Sequence, residues 1–349
     1  MARIFQIRKP GCKSLTIILI ILSYYQGVSQ SLSFEPCVVS VQSSFRGISV
    51  VSDTVVWVSG NNGWVGRSVN GAIDWNFLQI PGFEKFDFRT IYAFDEHSAL
   101  LATAGAPAFI LLTRDGGTTW KEVYKNEDPA AFIDGVDFWN HHEGLIYGDP
   151  INGKMLLLYT HDGGTTWQLV SEQSRPMLHD GEASFAASGT GIQCLDESMV
   201  VIATGGKTSR LFISQDKGKS WNISTPEIIQ GRESTGIFSV NFWSSRNGII
   251  VGGDFQYDSL LHRNSLYTRN GGKTWHLPVT PPRGYRECVV HLSKKMALAT
   301  GPSGTDITRN GGKDWQSVND EKSFHVLGIS PSGKLIVMAG VNKISRVRR

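Results

Sequence analysis

Cysteine is scarce and scattered. The four cysteines of this 349-residue chain, at positions 12, 37, 194 and 288, show no CxxC spacing, so neither a paired-cysteine framework nor a metal ribbon organises the fold, and buried free thiols are expected. Beyond residue 29 no amphipathic run of ten or more residues reads as a helix, and no glycine-rich fingerprint leads into one, which excludes a Rossmann-type oxidoreductase. GDPINGKM (148–155) has the spacing of a phosphate loop, but Met155 stands where a Ser or Thr would reach Mg²⁺ and no helix follows. His141-His142-Glu143 falls in a hairpin and lacks the helical i, i+4 presentation of a zinc protease, so no metal and no cofactor are expected.

Net charge is also missing once the leader is set aside. Arg3, Arg8, Lys9 and Lys13 precede the apolar run LTIILIIL (15–22), and Gly27-Val28-Ser29 offers small residues for cleavage, the pattern of a signal peptide over 1–29. The run is shorter than the ~20 residues of a membrane span and no lipobox cysteine follows it, so a soluble exported protein, periplasmic or extracellular, is expected. These four basic residues are matched by no acidic one. The remainder therefore holds 30 Lys and Arg against 31 Asp and Glu, with no overall electrostatic reason to bind nucleic acid or an acidic membrane; membrane contact is expected only through a partner.

What the chain has in abundance is one phrase, written six times: SVNGAIDW (68–75), TRDGGTTW (113–120), THDGGTTW (160–167), SQDKGKSW (214–221), TRNGGKTW (268–275) and TRNGGKDW (308–315). The intervals between the closing tryptophans, 45, 47, 54, 54 and 40 residues, are the length of a four-stranded propeller blade. Asn70, Asp115, Asp162, Asp216, Asn270 and Asn310 suit a tight turn because their side chains accept hydrogen bonds from amides the turn leaves unpaired. The glycines that follow accommodate positive φ. Trp75, Trp120, Trp167, Trp221, Trp275 and Trp315 then supply rings large enough to fill the wedge between blades.

S/T-x-D/N-x-G-x-x-W is the pattern of BNR/Asp-box repeats, and its spacing over residues 36–349 resembles the photosystem II assembly and stability factor family of seven-bladed propellers. Such boxes also occur in sialidases, xyloglucanase-type glycosidases and sortilin-like receptors, and members of the assembly-factor family occur in non-photosynthetic bacteria. The resemblance implies an all-β, seven-bladed propeller that holds a protein partner without turnover.

Strands in the order inner, second, third, box, outer recur through the chain. Three more after the last box (324–330, 334–340 and 344–349), with an N-terminal strand near 37–42, are expected to build a seventh blade and close a single domain over 30–349. The basic end 346–349 reads as a solvated strand end. Two insertions, 171–191 and 255–265, exceed what the scaffold needs and are candidate binding loops.

Aligned inner strands place Arg46, Arg89, Asp134, Thr190, Phe238, Arg286 and His325 at one height near the channel mouth. Three arginines there suit a carboxylate, a phosphate or an acidic peptide tail, or else bridge loops through carbonyls. Glu182, on the long loop, paired with Asp134 or Asp149 would form the two-carboxylate set of a glycoside hydrolase, although the Arg-Ile-Pro signature of a sialidase is replaced by FRGI (45–48) and FRTI (88–91). The leading reading is an exported scaffold for another exported or membrane protein. The alternative is a carbohydrate-active propeller or lectin, for which Trp139, Trp243, Tyr257 and Tyr285 are candidate glycan platforms.

Overall fold

Every regular element in residues 32–349, the part of the chain that the computed structural model describes, is a β-strand. The expected leader over 1–29 lies outside the described residues. Seven antiparallel sheets follow one another along the chain. Blade 1 is Phe45–Val50, Val56–Gly60, Trp64–Ser68 and Asn76–Gln79, and the inner strands of blades 2 to 7 are Phe88–Ala93, Ile133–Phe138, Ile192–Leu195, Thr235–Ser244, Cys288–His291 and Phe324–Ile329. The second strands explain the long apolar runs. Val56–Gly60, Ala99–Thr103, Met199–Ala203, Ala297–Gly301 and Ile336–Gly340 are buried at every residue, because each has a neighbouring blade on both faces.

Blade 7 closes the ring, with a shift from the expected position. Its outermost strand is Ser33–Pro36, paired with Lys343–Arg348 from Ser33↔Arg348 to Pro36↔Ser345; residues 37–42 form no strand. They cross instead toward blade 1, where Val39 and Val41 pack on the core and Cys37 Sγ donates to the Ala72 carbonyl at 3.1 Å. The basic tail is therefore covered on both edges instead of ending the sheet. The tail strand is third of the four, between Ile336–Gly340 and Ser33–Pro36 rather than beside the channel, and Arg346 and Arg348 both reach Glu35, at 2.8 and 3.0 Å.

Blade 5 also departs from the repeat. Beyond Ser265–Thr268 its fourth strand shrinks to one bridge, Tyr267↔His276, while its inner edge gains Gly205–Gly206 and Glu182–Ala183. The proline-flanked segment that should continue outward leaves its own sheet, and Thr280 pairs with Asp314 in blade 6.

Each box is built by two side chains. In TRDGGTTW, Asp115 Oδ1 accepts the Thr119 amide at 2.9 Å and Oδ2 accepts the Thr119 hydroxyl at 2.6 Å, while Thr113 Oγ1 accepts the Gly117 amide at 3.0 Å. The same amide four residues on is bound by Asp162, Asp216, Asn70, Asn270 and Asn310, all at 2.9–3.0 Å. Asn therefore replaces Asp without changing the turn. The second glycine lies against the preceding blade: at Gly164, φ +78°, an added Cβ would meet Leu100 Cδ1 at 2.7 Å. Blade 1 has Ala72 here, at φ 61° and fully buried.

The tryptophans pack with the preceding blade, Trp120 with blades 1 and 2, Trp167 with 2 and 3, and Trp275 with 4 and 5. Four of the six are half-buried; Trp167 and Trp315 are buried. Trp167 meets Phe138 edge-on at 6.0 Å and donates to the Gly164 carbonyl at 3.1 Å. Trp167→Ala should lower stability by about 3–5 kcal/mol through the cavity it leaves. Equilibrium urea unfolding measures this, and a loss below ~1 kcal/mol would mean the ring is not a wedge.

Candidate functional site

A bulge sets the channel mouth. In five inner strands the ladder to the second strand skips one residue, and those residues are Arg46, Arg89, Asp134, Phe238 and His325. A bulged residue is re-aimed relative to its strand, which gives five blades an equivalent position facing the mouth. Bonds between inner strands extend the register. The side chain three residues past the bulge accepts the next blade's amide four past its own: Ser49 from Ala93 at 3.0 Å, Asp137 from Cys194 at 2.7 Å, Gln193 from Phe242 at 2.6 Å and Asn241 from His291 at 2.8 Å. By this pattern Thr190 holds the position in blade 4 and Glu287, not Arg286, holds it in blade 6.

Segment 184–191, expected as a free binding loop, lies across the mouth. Ser184 N donates to Asp149 in blade 3 at 2.8 Å; Arg46 of blade 1 donates to the Ala187 carbonyl at 2.9 Å; Ser188 Oγ donates to the Glu287 carbonyl at 2.7 Å. Thr190 Oγ1 donates to Ser239 of blade 5 at 2.7 Å. Gly189, at φ +66°, passes so close to blade 2 that a Cβ would lie 2.9 Å from Thr90 Oγ1. The channel is plugged at this end by its own chain.

Beside the plug a cavity of roughly 340 Å³ remains, lined by Arg46, Arg89, Phe185, Phe238, Phe255, Tyr285 and Glu287 among others. Phe185 and Phe238 stack at 4.0 Å, and Phe255 and Tyr285 stand edge-on to Phe238 at 6.3 and 4.6 Å. Phe255 is 49% exposed. Glu287, buried, gathers Arg46 at 3.3 Å, the Tyr285 hydroxyl at 3.2 Å and His325 Nδ1 at 2.5 Å. Burial and the Glu287 charge push the Tyr285 phenol well up. Among the described residues Arg89 pairs with Asp87 alone, at 2.7 Å, with its side chain 35% exposed. The wall thus offers apolar rings beside two guanidiniums, one of them partly exposed.

Several predicted residues are placed elsewhere. Arg286 is 1% exposed, locked to Asp306 at 2.5 Å and to the carbonyls of Tyr285 and Arg283; it is a structural ion pair, and the expected trio of mouth arginines is a duo. Glu182 is bound by Arg210 through both oxygens, at 2.6 to 3.0 Å, with Thr204 donating at 2.6 Å, so it is not free to act with Asp134. Asp134 is fully buried and neither oxygen meets a donor in good hydrogen-bond geometry among the described residues; burial, then the nearby Asp149 charge, raises its pKa well above the carboxylate range against Arg89 and the Asp149 amide, which lower it. Glu287, Phe185 and Phe255 were not singled out by sequence. For Glu287 the signal was present, one residue from Arg286, but a single-residue slip selected the wrong face.

Two stability contrasts follow. Breaking the buried pair with Arg286→Ala should cost about 3–5 kcal/mol, whereas Arg89→Ala should stay within ~1 kcal/mol because its pair is only half-buried and reached by solvent; urea unfolding of both variants gives the contrast, and equal losses would reject it. Asp137 titrates in the opposite sense from an ordinary ion-paired acid. Burial raises it to about 7 against the two amides that lower it, so the folded state holds a proton the unfolded chain releases above about 4. Its contribution is complete below that point and is lost as pH rises to about 7. Relative to Asp137→Asn, the unaltered protein should lose stability between pH 4 and pH 8, measured by parallel melts; a constant difference would refute the shift.

Comparison with known proteins agrees with this architecture. A family profile described as photosynthesis system II assembly factor YCF48 matches residues 74–179, and the BNR/Asp-box repeat profile matches residues 266–277. No curated protein matches the chain. Among solved structures, YCF48 bound to D1 peptide superposes with a TM-score of 0.66 at 13% identity over 91% of this chain and 97% of that one. YCF48 from Cyanidioschyzon merolae gives 0.67 at 11% identity over 90% and 99%. The Neurospora crassa Pan2 WD40 domain gives 0.60 at 12% over 87% and 89%. The chain is a BNR/Asp-box propeller resembling the photosystem II assembly-factor family.

Proposed function

We propose that this propeller is a non-catalytic assembly factor, exported by its N-terminal leader, that holds another exported or membrane protein at the channel mouth. The observation that carries the reading is the half-open cavity where Arg46 and Arg89 adjoin Phe255 and Tyr285: it matches an acidic segment of a partner whose apolar side chains cover the rings. A relative of the same architecture is seen with a D1 peptide, which supports a polypeptide ligand. Glycoside hydrolysis fits less well, since Glu182 is consumed by Arg210 and Asp134 is fully buried, out of reach of a glycosidic oxygen.

The test is capture of a membrane or envelope protein from the native host on immobilised protein, comparing unaltered protein with Arg89→Glu. Charge reversal should weaken capture several-fold at low salt and flatten its salt dependence, while the melting temperature stays near that of the unaltered protein. Unchanged capture by Arg89→Glu and by Phe255→Ala would remove the mouth as the binding site. Release of soluble sugar from envelope glycans by the pure protein would favour the enzyme instead.

A further inference from the structure

The face opposite the mouth is electrically divided, although the chain is nearly neutral. It is formed by the boxes and by the turns between first and second strands, which touch one another: Gly116 N donates to the His97 carbonyl at 2.8 Å, Gly271 N to Arg246 at 2.9 Å and Gly311 N to Lys295 at 2.7 Å. In blades 2 to 4 this face is acidic, with Asp95, Glu96 and Asp115, then Glu143 and Asp162, then Asp196, Glu197 and Asp216, against Arg114, Lys217 and Lys219. In blades 5 and 6 the sign reverses. Box 5 carries Arg269 and Lys273, box 6 carries Arg309 and Lys313, and the adjoining turns add Arg246, Lys294 and Lys295, with Asp314 the sole acid in these four turns. These are boxes in which Asn270 and Asn310 make the turn bond that Asp makes in blades 2 to 4, so the turn is kept without the negative charge.

Arg246, Lys273, Lys294, Lys295 and Lys313 are exposed and have no carboxylate within 4.0 Å among the described residues. The sector is continuous, since Arg269 donates to the Gly311 carbonyl at 2.9 Å and Val279 N donates to the Lys313 carbonyl at 2.8 Å. Three large apolar side chains stand out of it: Trp243, 48% exposed, Leu277, 45%, and Val279, 87%. Leu277 and Val279 lie on either side of Pro278 on the segment that left blade 5.

We propose that the blade 5–6 edge of this face docks on an anionic phospholipid surface, with the lysines and Arg246 over the headgroups and Trp243, Leu277 and Val279 in the interfacial layer. The charges are spread over two blades rather than gathered about one point. A sheet of headgroups satisfies such a spread without fixed register, while exposed indole and aliphatic tips beside lysines are the composition of interfacial anchors. A groove does adjoin box 5, but its wall carries Glu227 beside Lys273 and leaves out Trp243, Leu277 and Val279, so an acidic protein segment lying in it would not cover the exposed apolar side chains. The acidic blades 2–4 are repelled by the same surface, so the ring sits tilted on its blade 5–6 edge. The mouth then remains open to a partner, and this inference does not depend on that partner.

The experiment is co-sedimentation of the full chain with vesicles of phosphatidylglycerol and phosphatidylcholine, or of phosphatidylcholine alone, across a salt series. The N-terminal apolar run is common to every variant, so differences between variants read the box face. Binding should be stronger on the anionic vesicles and fall with salt. Lys294→Glu with Lys295→Glu should weaken it at least ~tenfold, and Leu277→Ser with Val279→Ser should weaken it on anionic vesicles and remove any blue shift of tryptophan emission attributable to docking. Arg89→Glu, on the other face, should bind as the unaltered protein does. Matching thermal melts exclude unfolding as the cause. Equal binding to neutral vesicles, or no effect of the paired lysine reversal, would overturn the proposal, as would saturation by poly-glutamate at concentrations where anionic vesicles fail to bind.

Discussion

At the narrow end of a propeller seven strands converge and their backbones must find partners across blade boundaries. Here side chains do this: Ser49, Asp137, Gln193 and Asn241 each accept an amide of the next inner strand, and Ser239 and Cys288 do so one turn of the ladder closer to the mouth, for Val289 and Leu327. Short polar residues on an otherwise apolar strand are therefore the bearings on which the ring is set. An unpaired buried amide is more costly than the net gain from a bond made, so these contacts fix the height of each blade relative to the next. The bulge above them then places one side chain per blade at the mouth. At the wide end the box tryptophans, each against the preceding blade, fill the space that opens as the sheets diverge.

Fold and site were unequally legible for this reason. Boxes are local: a Thr, an Asp or Asn, two glycines and a Trp make one turn with bonds spanning four residues, and six copies display that geometry in the sequence itself. The mouth depends on contacts such as Arg46 with Ala187 and His325 with Glu287, separated by 141 and 38 residues, for which no periodicity exists. Register could still be read where an Arg, Asp or His marked the bulge. It failed at blade 6, where Arg286 and Glu287 are adjacent and either polar residue fits. The closing strand was misplaced for a related reason: CVVSVQ alternates like a strand, but its valines serve the core under a crossing segment, and the less patterned SFEP makes the ladder.

Departures from the repeat cluster in one part of the ring. Blade 5 loses most of its outer strand, gains two short inner ones, carries the 255–265 insertion and borders the plug, so its deviations at mouth and rim belong to a single remodelled blade. Asp134, buried in the inner strand of blade 3, lies near Asp149, which accepts the Ser184 amide at the start of the plug. Scaffold economy does not require any of these features; a chain selected only to close seven blades would have kept the box length and the fourth strand.

The plug alters what kind of repeat protein this is. In an array whose units meet only their neighbours, blades can be duplicated or lost and the rest will still assemble, because stability sums over adjacent pairs. Segment 184–191 arises between blades 3 and 4 yet bonds to blades 1, 3, 5 and 6 and abuts blade 2. It reads the circumference as a whole. Removing or adding a blade would change the diameter and strand every one of those bonds at once, so this short segment ties the count of seven to contacts made outside the repeat.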